Sequence, residues 1–317
     1  MAHTQPPTPA HIDGQSARGV TMFAIAMLAV PAFDAIAKIL GQSLAPAFIA
    51  FMRYSVQSAI LVVVIVVVLR RPLFAGTRAF IPSLALAGAF AAVCIGSLFT
   101  ALQFLPLANT IAIFFVEPLI LTMFSAWFLG EKVGWHRTGA VLVGLAGALV
   151  IIRPNLALYG WATLLPLVTA VGFAAIMTIF RKLSPRLDSL RIQTISGAFA
   201  ALFLGVLSLA GHAFGPTTMA LVAPSADQWA ILVGMGVFAT LAQMLITMSV
   251  KYAEASLVAP FQYLEIVGAT ALGYLLFDEF PDALTWTGTA IILAAGFYII
   301  HRERTLSRAR LAVGAPN

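Results

Sequence analysis

Apolar runs long enough to cross a bilayer recur along this chain, separated by short polar breaks. About 20 consecutive apolar residues suffice for a transmembrane helix. Ten such stretches are legible, at 19–41, 45–69, 79–102, 107–129, 137–152, 159–180, 192–213, 228–250, 255–277 and 284–301. A barrel strand would alternate polar and apolar residues, whereas "AILVVVIVVVL" (59–69) is apolar without interruption. The pattern predicts an all-α integral membrane protein with ten transmembrane helices.

Composition strengthens this reading. Apolar residues make up 61% of the chain and charged residues only 9%, against about 25% charged in soluble domains. A soluble fold has no place to hide that excess. The first run follows a polar segment, 1–18, and is longer than a signal-peptide core, so it reads as a retained helix.

The charge is distributed unevenly. With the N-terminus in the cytoplasm, 15 of the 18 Lys and Arg residues fall in cytoplasmic segments. By the positive-inside rule this predicts a multi-pass protein of the cell inner membrane with both termini cytoplasmic. The net charge of +6 is therefore an orientation signal and not a nucleic-acid surface. Cys94 is the only cysteine, which excludes an internal disulfide and a Cys-based metal site. No phosphate-cradling glycine loop, HExxH or GxSxG stands in the chain, so neither an enzyme, nor a cofactor, nor ATP-driven work is expected. Monomer and homodimer both remain open.

An internal repeat organises the rest. "LPLANTIAIFFVEPLILTMFSAWFLGEK" (105–132) lies over "AEASLVAPFQYLEIVGATALGYLLFDEF" (253–280), placing Glu117 on Glu265 and Glu131 on Glu279. "TGAVLVGLAGALVIIR" lies over "TGTAIILAAGFYIIHR", and "FDAIAKIL" (33–40) over "FAAIMTIF" (173–180). Five helices per half is an odd number, so the two halves are expected to insert in opposite orientations. Such inverted repeats carry alternating-access transport, with the site near mid-membrane where the halves meet. The expected organisation is a cytoplasmic tail (1–18), a first five-helix repeat (19–153), a second (154–302) and a second cytoplasmic tail (303–317).

"AWFLGEKVGWHRTGAVLVGLAGALVI", preceded by "LPLANTIAIFFVEPLI", resembles the EamA domain of the drug/metabolite transporter superfamily. The resemblance covers roughly residues 20–300 and implies two tandem EamA domains. The second copy departs from the first: Ile266 stands where Pro118 would fall, and Asp278 where Gly130 would fall. These departures leave equal bending of the fourth and ninth helices without support from the sequence.

Charged groups inside apolar helices are costly and mark function by default. Asp34 and Lys38 stand four apart on the first helix, acid before base, the favourable order for an ion pair. Either they satisfy each other or they separate to engage substrate. Arg53 either snorkels to the near interface or turns inward toward Asp34, Glu117 or a substrate carboxylate. Glu117 and Glu265 brace helices as hydrogen-bonded carboxyls, or bind substrate or carry a coupling proton, since a low-dielectric site favours the neutral carboxyl. Phe114 beside Glu117, with Phe261, Gln262 and Tyr263 near Glu265, forms an aromatic, amide and carboxylate set. That set suits a flat, polar organic molecule. The expected function is secondary active transport of a small organic metabolite. The "FDAIAKIL" start resembles that of bacterial family members that take up S-adenosylmethionine or riboflavin. This resemblance implies a lean toward uptake of a vitamin or cofactor. Export of aromatic amino acids or drugs is the alternative, and a channel a more distant one.

Overall fold

The computed structural model describes residues 14–74, 76–130, 135–215, 221–253 and 255–313. Most of the N-terminal tail, Glu131, Lys132 and residues 314–317 lie outside these segments, and with them the expected match of Glu131 to Glu279.

Helix fills every predicted apolar stretch. The elements are α1 (Gly14–Leu40), α2 (Pro46–Val63, prolonged by a π-helical turn Val64–Val68) and α3 (Ile81–Phe104). The fourth stretch holds α4 (Leu107–Phe114) and α5 (Glu117–Leu129), and the fifth α6 (Trp135–Tyr159). A 3-10 turn, Gly160–Leu164, leads into α7 (Leu165–Leu183), followed by α8 (Ser189–Phe214) and α9 (Ala226–Tyr252). The ninth stretch is α10 (Ala255–Val258), a 3-10 turn (Ala259–Tyr263) and α11 (Leu264–Phe277), and the chain ends in α12 (Ala283–Val313).

Among the described residues, 7 helical segments are long and apolar enough to cross a membrane. One of them, Thr138–Leu183, runs through both α6 and α7. The last two predicted stretches give shorter pieces: α11 has 14 residues, and the apolar part of α12 covers Ala283–Ile299. All five tryptophans are exposed, as an aromatic belt requires.

The fourth and ninth stretches are both broken, an equality that the sequence departures leave unsupported. Pro118 has no N–H to close a helical bond, so α4 stops at Phe114 and α5 starts at Glu117. In the second half Pro260 does this work from inside the 3-10 turn. The other departure is also neutral in shape. Gly130 ends α5 at φ 71°, and Asp278 ends α11 at φ 56°. Asp is one of the few residues with a side chain that tolerates the left-handed region.

The heaviest helix pairings all join the two halves. They are α1 with α9 and α11, α2 with α8 and α9, α3 with α7 and α8, α5 with α7, and α6 with α12. Exchanging the halves turns α1–α9 into α7–α3, α1–α11 into α7–α5, and leaves α2–α8 and α6–α12 in place. The packing therefore has approximate two-fold symmetry, and neither half owns its core. Small residues let the backbones meet. A Cβ on Gly288 would sit 2.6 Å from the Gly147 carbonyl oxygen, and one on Gly88 2.6 Å from that of Ser196.

Candidate functional site

The two helix breaks place their acids alike. Glu117 opens the first turn of α5, and Glu265 lies in the first turn of α11. Backbone N–H groups at a helix start have no partner inside the helix and form the positive end of its dipole. Both side chains are buried, Glu117 to 3% exposure and Glu265 to 7%.

Asp34 joins them from α1, at 1% exposure and one turn beyond Pro31. A Cβ on Gly268 would lie 3.0 Å from Pro31 Cγ, so α1 and α11 run close at this level. Arg53 turns inward and does not snorkel. Its guanidinium carbon lies 5.1 Å from the Phe33 ring centre and 4.9 Å from that of Tyr54.

Among the described residues, Asp34 Oδ1, Glu117 Oε1, and Arg53 Nε and Nη1 are buried without a hydrogen-bond partner. Buried polar atoms are nearly always satisfied, so the open atoms of Asp34, Glu117 and Arg53 are exceptions, as are those of Gln57 and Ser58 on α2.

Aromatic rings border the charges. Phe114 meets Phe173 edge-on at 5.7 Å and Phe115 at 6.0 Å. Tyr263 lies 5.5 Å from Phe115 and 4.6 Å from Phe297, and feels the charge of Glu117. Phe261 points elsewhere, packing with Phe23 and Met27 on the α1–α9 side. Gln262 is half-buried in the 3-10 turn.

Of the two readings of Asp34 and Lys38, the mutual pair does not form. Lys38 Nζ donates to Glu279 Oε1 at 2.6 Å and Oε2 at 2.7 Å, and to the Leu105 carbonyl at 2.9 Å. Lys38 sits in the last turn of α1, and its long stem carries the ammonium past the helix end. There the left-handed Asp278 turns the chain so that Glu279 reaches back. Glu279 Oε2 also accepts from Leu107 N at 3.1 Å, capping α4. This ion pair ties one half to the other at one end of the bundle.

Gln193, the repeat counterpart of Arg53, donates to Thr247 Oγ1 at 3.3 Å and joins α8 to α9. One polar link was missed in the sequence. Asn109 Nδ2 donates to Asn155 Oδ1 at 3.1 Å, while Asn109 Oδ1 stays open. Asn109 stood visible in an apolar run, but Asn155 fell three residues beyond the predicted end of its stretch.

The model of the EamA-like transporter family matches residues 17–153 and again 160–300. The pseudopaline exporter CntI of Pseudomonas aeruginosa is 29% identical over 278 residues, covering 87% of this chain and 94% of that protein. An S-adenosylmethionine uptake transporter of Rickettsia bellii is 26% identical over 286 residues, covering 90% and 94%. A riboflavin transporter of Brucella anthropi is 29% identical over 208 residues, covering 66% and 72%. A crystal structure with 19% identity shares the fold at a TM-score of 0.56, over 90% of this chain and 98% of the other.

Proposed function

The chain belongs to the EamA-like transporter family of the drug/metabolite transporter superfamily, and from that premise we propose that it is a secondary active transporter working by alternating access between two oppositely inserted five-helix halves. Members of this family move small metabolites across membranes and are not enzymes. The protein is multi-pass, and the reading places ten crossings in the cell inner membrane with both termini cytoplasmic. The two-fold exchange of helix partners supports the inverted halves, and the distribution of basic residues supports the orientation.

One observation carries the reading: buried Asp34 and Glu117, and the guanidinium of half-buried Arg53, keep open hydrogen-bonding atoms where the halves meet. A scaffold or brace would close those atoms. The substrate is a vitamin or cofactor taken up by the cell, bounded by Phe114 and Tyr263 and held by Asp34, Arg53, Glu117 and Glu265. Likeness to the pseudopaline exporter favours a second reading, in which the same site serves export of an amino-acid-derived compound or a drug.

The test is counterflow in proteoliposomes loaded with riboflavin or S-adenosylmethionine. Saturable uptake of labelled solute, accelerated by the same solute inside, is expected for one of them. Flux that never saturates and ignores the internal solute would identify a channel.

A further inference from the structure

We propose that Lys38 and Glu279 are the gate at one end of the bundle, an ion pair that parts each time the site opens to that side. This rests on the transporter reading and supplies its moving contact. By the orientation given above, the gated end faces away from the cytoplasm.

Three segments converge on the Lys38 ammonium. Lys38 stands at the end of α1, Leu105 at the corner between α3 and α4, and Glu279 just past α11. Besides its bonds to Glu279 and to the Leu105 carbonyl, the ammonium lies 4.9 Å from the centre of the Phe277 ring. The frame itself does not need a charge here. Thr178, the repeat counterpart of Lys38, bonds the Ala174 carbonyl of its own helix at 2.8 Å. Lys38 is 12% exposed and Glu279 27%, so water reaches the pair and hydrates the charges once they separate. A fully buried pair would leave two stranded ions on opening, and a fully exposed one would hold nothing shut.

The other end of the bundle carries a matching contact. Following the chain through its successive crossings places the ends of α5 and α7 at the face opposite the end of α1. There Arg181 Nη1 donates to Ser125 Oγ at 2.9 Å, joining α7 to α5. The exchange of halves that turns α1–α11 into α7–α5 thus carries one end contact into the other. Alternating access needs one of the two closed while the other parts.

A short rod links the gate to the site. Glu279 Oε2 caps Leu107 N, the start of α4. The 8 residues of α4 are all buried and span about 12 Å. Phe114 forms its far end, and Glu117 follows the break. A solute that displaces Phe114 therefore acts on the carboxylate that holds Lys38.

A reversible lock tests the gate. In a Cys94→Ala background, Lys38→Cys with Glu279→Cys is bridged by a short bis-methanethiosulfonate and released by a reductant. Riboflavin and S-adenosylmethionine serve as labelled solutes for counterflow. Bridging should stop counterflow and the reductant should restore it, whereas a pair that only stabilises the fold would leave the bridged protein transporting. Undiminished counterflow in the bridged protein overturns the gate and leaves the transporter reading standing. A second measurement needs no solute and decides where the cysteine pair is inactive before bridging. Thr110→Cys, buried in the first turn of α4, is labelled on intact cells with a membrane-impermeant maleimide. Lys38→Gln should speed this labelling at least about tenfold, within the range of coupling between linked sites. Charge exchange, Lys38→Glu with Glu279→Lys, should slow it again, and unfolding temperatures report whether each variant folds. A labelling rate indifferent to Lys38→Gln overturns the gate. If the native chain shows counterflow of neither solute, the transporter reading falls and the gate with it.

Discussion

The broken helix of the first half, α4–α5, and that of the second, α10–α11, reach one shape by different residues. Pro118 interrupts the first just after its glutamate, and Pro260 interrupts the second five residues before its own. Gly130 makes the left-handed end of one, and Asp278 that of the other. Backbone geometry is shared where the halves must fit each other. Charge is not. The first half carries Asp34, Lys38 and Arg53 where the second has Ala174, Thr178 and Gln193. The repeat is thus symmetric as architecture and asymmetric as chemistry, as a carrier needs if one off-centre solute is to be held by a two-fold frame.

The largest test of that asymmetry is at the matched glutamates. Glu117→Gln should lower concentrative uptake by roughly a hundredfold and Glu265→Gln by about tenfold, the range spanned when buried charge partners are removed. Initial rates in proteoliposomes would read both, and equal losses would break the comparison. The backbone symmetry is tested at α6–α12. Gly288→Leu forces a side chain against the Gly147 backbone and should destabilise by about 3 kcal/mol, seen as a lower unfolding temperature. The inter-half ion pair comes next. Its side chains are 12% and 27% exposed, between the surface and buried regimes, so Lys38→Ala should cost about 2 kcal/mol. Adding Glu279→Ala should recover most of that loss, because no uncompensated charge then remains. Exchanging the caps is milder: Asp278→Gly should be neutral or stabilising and Gly130→Asp destabilising, each by about 1 kcal/mol or less. The smallest change is at Gly139, matched to Gly288 in the repeat but facing open space. Gly139→Ala should stay within about 0.5 kcal/mol, measured by the same unfolding assay.

Helix positions and the two glutamates were legible because both are one-dimensional signals, an apolar run and a charge inside it. Residue-by-residue matching left the shape of the ninth helix undecided. It compared Ile266 with Pro118, while the break depends on any proline within a turn or two, and Pro260 qualifies. It read Asp278 as a loss of glycine, although both residues accept φ > 0. Pairing Lys38 with Asp34 used the nearest acid along the helix. The actual partner lies 241 residues away, and only the close of α1 against two turns of the chain brings it within reach. Arg53 facing inward was one of two readings, and the choice between them needed Phe33 and Tyr54 to be placed around it.

That distance between Lys38 and Glu279 also sets an order of events during synthesis. At roughly 5–20 residues per second, on the order of 10–50 s passes between the making of Lys38 and the making of its partner. A lysine left alone in a membrane helix is unfavourable by about 3 kcal/mol on insertion scales. The main neighbours of α1, α9 and α11, are also late arrivals. The first helix made is therefore among the last to be settled. Until the end of α11 is made, Lys38 lacks Glu279, so a chain cut short before that point leaves the cationic end of α1 without its carboxylate partner.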